Sequence, residues 1–249
     1  MLLSVASAKG SPGATTAAHV LAAVWPRDVR LAELDPAGSD LMYRLRTQSG
    51  QPIDSSRGLV SLAAAVRRES AASLEEHLTT VDGGLEVLVG LARPDQAAAI
   101  GAAWSAVAQS LRGPVDVIAD AGRLTPGTPS LGAALASDRL ILVTRPGVDQ
   151  YGHLRERLRW IVDETAHRAE RPDLGVLLVT PWKERHEAGA LNRLLHSGGL
   201  DVPVTGVLAH DDGAADALAG RRPRPLDRSL LVRSARELAA ELAGAEESQ

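Results

Sequence analysis

Seven short runs of unbroken hydrophobicity, set apart by longer amphipathic stretches, constrain this chain more than any other feature of its sequence. The runs cover residues 2–7, 29–34, 85–90, 115–120, 139–144, 174–180 and 204–209, are rich in Val, Ile and Leu, and are each bounded by Gly, Pro or Asp. A strand with one wet face alternates apolar and polar residues, whereas a strand covered on both faces stays apolar throughout. The pattern therefore calls for a parallel sheet between two layers of helix. Residues 15–24, 96–111, 150–167 and 229–242 carry helical periodicity, with Leu154, Leu158 and Ile161 on one face of the third stretch and Leu231, Leu238 and Leu242 on one face of the fourth. Strands and helices in alternation, joined by right-handed crossovers, predict an α/β fold: a doubly wound, mostly parallel seven-stranded sheet with helices on both faces. Residues 43–82 read as polar and helical without a strand, and are expected to cap a sheet edge or to shape a cleft. No repeat or linker divides the chain, so residues 1–249 are expected to form one domain, with the acidic residues 243–249 as a frayed tail.

Composition closes several classes of chemistry. There is no cysteine, which excludes disulfides, iron–sulfur ligation and thiol catalysis by this chain. The seven histidines show no paired spacing on one helix face, and no Gly-x-Ser-x-Gly elbow follows a strand, so neither a zinc site nor serine-hydrolase chemistry is expected. A net charge of −4 gives no global attraction to nucleic acid or anionic lipid. The hydrophobic fraction is 45%, and no apolar run approaches the roughly 18–20 residues of a membrane span. The first residues carry no basic leader, and a cytoplasmic location is expected.

Ligands of open parallel sheets bind where strands end and helices begin. The first strand runs into Ala8-Lys9-Gly10-Ser11-Pro12-Gly13-Ala14-Thr15-Thr16 before a helix. Glycines let backbone N–H groups point inward and the helix N-terminus adds its positive end, so the loop can cradle an anion, with Thr15 placed to offer a hydroxyl to magnesium. The same segment also reads as an ordinary glycine-rich turn whose threonines cap the helix. The string KGSPGATT resembles the deviant Walker A loop KGGxGKTT of the ParA/MinD family, and Lys9 matches that family's signature lysine, which reaches across a dimer to the partner's nucleotide. Lys9 is one of only two lysines in the chain. Ala14 stands where the family has its second, phosphate-pairing lysine, which implies weak or absent hydrolysis. The resemblance implies ATP and Mg2+ as ligands, held by Lys9, Gly10, Ser11, Gly13, Ala14, Thr15 and Thr16.

Other strand ends extend the resemblance from Leu3 to Leu242. Glu33-Leu34-Asp35-Pro36-Ala37-Gly38 resembles the family's DxDPxG segment: Asp35 matches the carboxylate that orients the attacking water, and Glu33 stands at a metal-side position. Asp-Pro-Ala-Gly is equally a common turn. Asp120-Ala121-Gly122-Arg123 resembles the Walker B strand and second switch, which implies that Asp120 meets magnesium through water. Gly122 would offer its N–H to a phosphate, and Arg123 is either a compensating cation or a solvated arginine. Thr144-Arg145-Pro146 resembles a T-x-P step, while the segment 178–183 lacks the asparagine that reads adenine in the family.

The family resemblance implies a homodimer and a spatial organiser of the partitioning or localisation kind, similar to non-standard TadZ/CpaE-like members of Tad pilus assembly and to actinobacterial MinD-like proteins. The alternative is a pseudo-ATPase adaptor that binds a protein partner without nucleotide. Arg221, Arg222 and Arg224 form the densest basic cluster, which reads as a solvated loop or as a non-specific contact to DNA. The sequence closes Ala-Glu-Glu-Ser-Gln rather than in a basic amphipathic helix, so no direct membrane anchor is expected.

Overall fold

In a computed structural model that describes residues 1–10, 12–68, 72–222 and 224–244, every one of the seven apolar runs forms a strand. The strands are β1 (Leu2–Ser7), β2 (Val29–Glu33), β3 (Thr79–Thr80), β4 (Glu86–Leu88), β5 (Asp116–Arg123), β6 (Arg139–Thr144), β7 (Asp173–Thr180) and β8 (Val204–Ala209). Among the described residues they form one sheet in the order β3-β4-β2-β5-β1-β6-β7-β8. All neighbours are parallel except β3 and β4. The chain winds outward from β1 first to one side and then, after β5, to the other. The direction reverses at β1, where a crevice opens beyond the carboxyl ends of the strands.

The helices are α1 (Ala14–Ala23), α2 (Leu41–Arg44), α3 (Leu59–Arg68), α4 (Asp95–Ile100), α5 (Trp104–Ser110), α6 (Leu131–Leu135), α7 (Val148–Thr165), α8 (Glu187–Ser197), α9 (Asp212–Leu218) and α10 (Leu230–Gly244). Because successive strand residues point to opposite faces, each apolar run feeds two cores. Leu3, Val5, Ile141, Val143, Leu177 and Val179 pack with Leu21 of α1 and with Leu231, Leu238 and Leu242 of α10. Leu2, Leu88 and Val117 meet Leu59 and Leu62 of α3 and Val107 of α5 on the opposite face. On that same side Leu140, Leu142, Val176 and Leu178 cover Leu154, Leu158 and Ile161 of α7 and Leu191 of α8. No helix among the described residues is long and apolar enough to cross a membrane.

Two elements differ from expectation. The stretch 43–82, expected to lack a strand, contains β3, whose two threonines pair antiparallel with β4 and make the sheet eight-stranded rather than seven-stranded. A two-residue strand is too short to show any period. The stretch 96–111 is not one helix: Gly101 takes φ +51, and a 3-10 turn over Gly101–Ala103 separates α4 from α5. A glycine in the left-handed region ends the helical hydrogen-bond ladder, which apolar spacing alone does not reveal.

Candidate functional site

The loop after β1 turns on two left-handed glycines, Gly10 at φ +71 and Gly13 at φ +103. Gly13 is the N-cap of α1, and its carbonyl accepts from the Ala17 N–H at 2.8 Å. Among the described residues no side chain caps this helix, so to them the N–H groups of its first turn stay available, and the helix dipole favours negative charge there.

Two further strand ends converge on the loop. At β5 the register against β1 slips between Val5 and Ala6, so that Val5 pairs with Asp120 and Ala6 with Gly122. A slip of this kind leaves one residue unpaired and re-aims its neighbours. Gly122 follows at φ +65, and a Cβ there would lie 2.2 Å from the Asp35 carboxyl carbon, so only glycine lets β5 pass this close to Asp35. Asp35 is half-buried at the end of β2, with Oδ1 accepting the Ala37 N–H at 2.8 Å. Burial raises its carboxyl above the ordinary range against the pull of that bond, and Asp40 adds to the rise.

Asp120 is 1% exposed. Its Oδ1 accepts the Gly122 N–H at 3.0 Å, while Oδ2 is buried with no hydrogen-bond partner. Burial pushes this carboxyl up to about 6, opposed by the nearby Thr15 hydroxyl and the Gly122 N–H and reinforced by Asp35 and Asp40. A buried oxygen with no donor is costly, and the cost is relieved if a cation or its water occupies that side. Among the described residues no three His, Cys, Asp or Glu side chains are grouped to hold a metal. Mg2+ binds through one or two protein oxygens plus phosphates and waters, so the test of fit is the buried Asp120 Oδ2 beside the Thr15 hydroxyl. Thr15 and Asp120 therefore fit magnesium.

Gly10, Gly13, Ala14, Thr15, Thr16, Asp35, Gly122 and Arg123 together line one cleft of about 500 Å³ at the mouth of the sheet. A smaller cavity of about 50 Å³ adjoins it, sharing Pro12, Gly13, Thr16 and Arg145 and running under Leu208 and His210 at the end of β8. Of the two expected flanking carboxylates Asp35 lines this cleft with the loop, whereas Asp120 is not among the lining residues and lies buried beside Thr15 and Gly122.

Besides Asp120, two expected residues lie outside the lining. Glu33 does not line the cleft. Oε1 accepts the N–H groups of Asp40 at 2.7 Å and Leu41 at 3.1 Å, and Oε2 accepts the Ser39 hydroxyl and the Gly90 N–H at 3.2 Å. Both oxygens are therefore taken up in fixing the turn that starts α2 instead of facing a metal. Burial pushes Glu33 up to about 7 in spite of those donors. Lys9 lies outside the cleft lining too, its Nζ donating to His153 Nε2 of α7 at 2.8 Å. Ser11 lies outside the described residues.

Sequence reasoning missed Arg44, Arg145 and Arg221, which also line the cleft. For Arg145 a signal existed, since it directly follows β6, the strand beside β1 at the point where the winding reverses. Arg221 and Arg224 of the basic cluster are ion-paired, with Asp216 and Asp211, each at 3.1 Å.

The sequence matches no protein-family model, and no curated protein matches it. Solved structures do share its fold. The septum site-determining protein MinD complexed with Mg-ADP from Pyrococcus horikoshii OT3 superposes with a TM-score of 0.71 at 20% identity, over 98% of this chain and 98% of that one. A ParA family ATPase from Chlorobium tepidum TLS gives 0.74 at 14% identity, over 96% and 98%. Cobyrinic acid a,c-diamide synthase from Mycobacterium smegmatis with bound ADP and magnesium gives 0.68 at 21% identity, over 99% and 95%. The chain has the P-loop α/β fold of MinD and ParA ATPases.

Proposed function

We propose that the chain is a ParA/MinD-like protein that binds ATP with Mg2+ in the cleft at the mouth of β1, and that occupancy controls assembly of two copies over that cleft. The observation that carries the reading is the buried, unpartnered Asp120 Oδ2 beside Thr15, at the foot of a loop whose helix N-terminus no side chain caps. In this reading the N–H groups from Gly13 to Thr16 donate to phosphate oxygens, and Thr15 and Asp120 hold the metal side. Asp35, half-buried against Gly122, orients a water or accepts its proton. Mg2+, when bound, neutralises phosphate charge. The smaller cavity under Leu208 and His210 is the space left for a base.

The structural neighbours crystallised with Mg-ADP or with ADP and magnesium support the choice of ligand by fold alone. Roles in partitioning or pilus assembly rest on the family resemblance. DNA contact through residues 221–224 belongs to the same reading, although Arg221 and Arg224 already face carboxylates. Titration calorimetry with Mg-ATP tests it. One nucleotide per chain is expected, with binding weakened in Asp120→Asn, and no heat at millimolar Mg-ATP rules the reading out.

A second reading, an adaptor with a silent site, is favoured by Ala14 in the loop and by the engagement of Lys9 with His153. Phosphate release decides between a slow ATPase and a binding-only module: turnover abolished by Asp35→Ala identifies the former.

A further inference from the structure

An anion entering this cleft meets four carboxylates on its walls, Asp35, Asp40, Asp212 and Asp216, and four guanidinium groups, Arg44, Arg123, Arg145 and Arg221. Two of the cations are already neutralised. Arg44 is paired with Asp40, and Arg221 with Asp216 at 3.1 Å. The loop itself adds no cation, because Lys9 is turned onto His153 and Ala14, the first residue of α1, has a side chain too short to carry one. The loop therefore offers a polyphosphate only backbone N–H groups, and positive charge must come from the cleft walls, where the same two ion pairs also neutralise Asp40 and Asp216.

Arg123 and Arg145 remain without a carboxylate partner among the described residues, and they are placed differently. Arg123 follows Gly122 at the end of β5, on the Asp35 side. Arg145 follows the last residue of β6 and reaches the loop, its Nε donating to the Pro12 carbonyl at 3.2 Å. That bond uses one of five guanidinium donors and leaves both terminal nitrogens unpartnered among the described residues. Pro146 follows it and restricts the Arg145 backbone to extended conformations, so the side chain starts from a fixed base. Arg145 also lines both the main cleft and the smaller cavity, whereas Arg123 lines only the former.

We propose that Arg145 supplies the positive charge this loop needs to hold nucleotide phosphates, delivered from the end of β6 instead of from the loop. The assignment rests on the nucleotide reading above and gives it a specific recognition element: a fork of donors tethered to Pro12, facing an anion that spans the two cavities. It selects for nucleoside di- and triphosphates over uncharged nucleosides.

Thermal unfolding of the full chain with Mg-ATP, Mg-ADP and adenosine tests this, using wild type, Arg145→Ala, Arg145→Gln and Arg145→Lys. Gln keeps an amide donor for the Pro12 carbonyl while losing the charge, so it separates tethering of the loop from contact with phosphate. The wild type is expected to be stabilised by Mg-ATP and Mg-ADP but not by adenosine. Arg145→Gln and Arg145→Ala should need roughly ten- to a hundredfold more Mg-ATP for the same shift, with ligand-free melting unchanged in Arg145→Gln, and Arg145→Lys, which keeps the charge but not the fork or the Pro12 tether, should recover only part of the response. If Arg145→Ala does not fold, the Gln and Lys variants decide. A wild-type response to Mg-ATP that persists in Arg145→Gln overturns the role of Arg145 and leaves the nucleotide reading standing. No response in the wild type removes both.

Discussion

A buried carboxylate with one oxygen on the Gly122 N–H and the other making no hydrogen bond among the described residues is costly to keep ionised, and Asp120 is held in that condition even with the Thr15 hydroxyl nearby. Its pKa of about 6 and that of Glu33 of about 7 both lie above the ordinary carboxylate values of 3.8 and 4.5. At these two sites the folded chain binds more protons than the unfolded one, so they make stability fall as pH rises, while His19, which burial lowers to about 4, works in the opposite sense below its ordinary value of 6.5. From pH 5 to pH 8 the melting temperature of the ligand-free wild type should therefore fall more, or rise less, than that of Glu33→Gln, a difference checked by calorimetry across that window. In the proposed site magnesium would act in the opposite sense, because it would engage only ionised Asp120. Mg2+-dependent ATP binding should weaken as pH drops through about 6, and Asp120→Asn should bind weakly with a flatter pH profile. The position of Asp120 at a strand end was legible in the sequence. The inward turn of Glu33 onto Ser39, Asp40, Leu41 and Gly90 was not, since two carboxylates at similar strand ends read alike until their donors are known.

Strands and helices place these residues through a few close approaches. Gly122 allows β5 and the end of β2 to meet, and Gly122→Ala demands both a left-handed alanine and a Cβ inside the Asp35 carboxyl. A loss of about 1–3 kcal/mol in urea unfolding is expected, together with loss of any phosphate release that depends on Asp35. Gly206 performs the same service for α10, since a Cβ there would stand 2.6 Å from Leu238 Cδ1. Leu238 is 3% exposed against β8, so Leu238→Ala should cost about 2–5 kcal/mol. Nucleotide binding below the unfolding transition should be unaffected, because Leu238 lines neither of the two cavities. The apolar period of α7 and α10 was legible because each buries one stripe. The break at Gly101 and the two-residue β3 were not, since the first depends on one backbone angle and the second on pairing with β4.

At the scale of the molecule, alternation of apolar runs and helices was enough to predict the doubly wound sheet, because strands buried on both faces leave few other arrangements. Alternation alone does not fix the strand order, so the loop after β1, Asp35 and Asp120 were grouped through their resemblance to the motifs of one family. Cation supply to the loop could not: Arg145 and Pro12 are 133 residues apart, and their contact exists only once β6 is laid beside β1. The central claim is that the turn from Gly10 to Thr16 is an anion cup completed by Asp120. The most direct measurement is a crystal structure of the chain grown with Mg2+ and a non-hydrolysable ATP analogue. The account predicts phosphates on the N–H groups of Gly13 to Thr16 and a metal between the Thr15 hydroxyl and Asp120. Nucleotide bound away from this loop, or a loop without phosphate at saturating analogue, would contradict it.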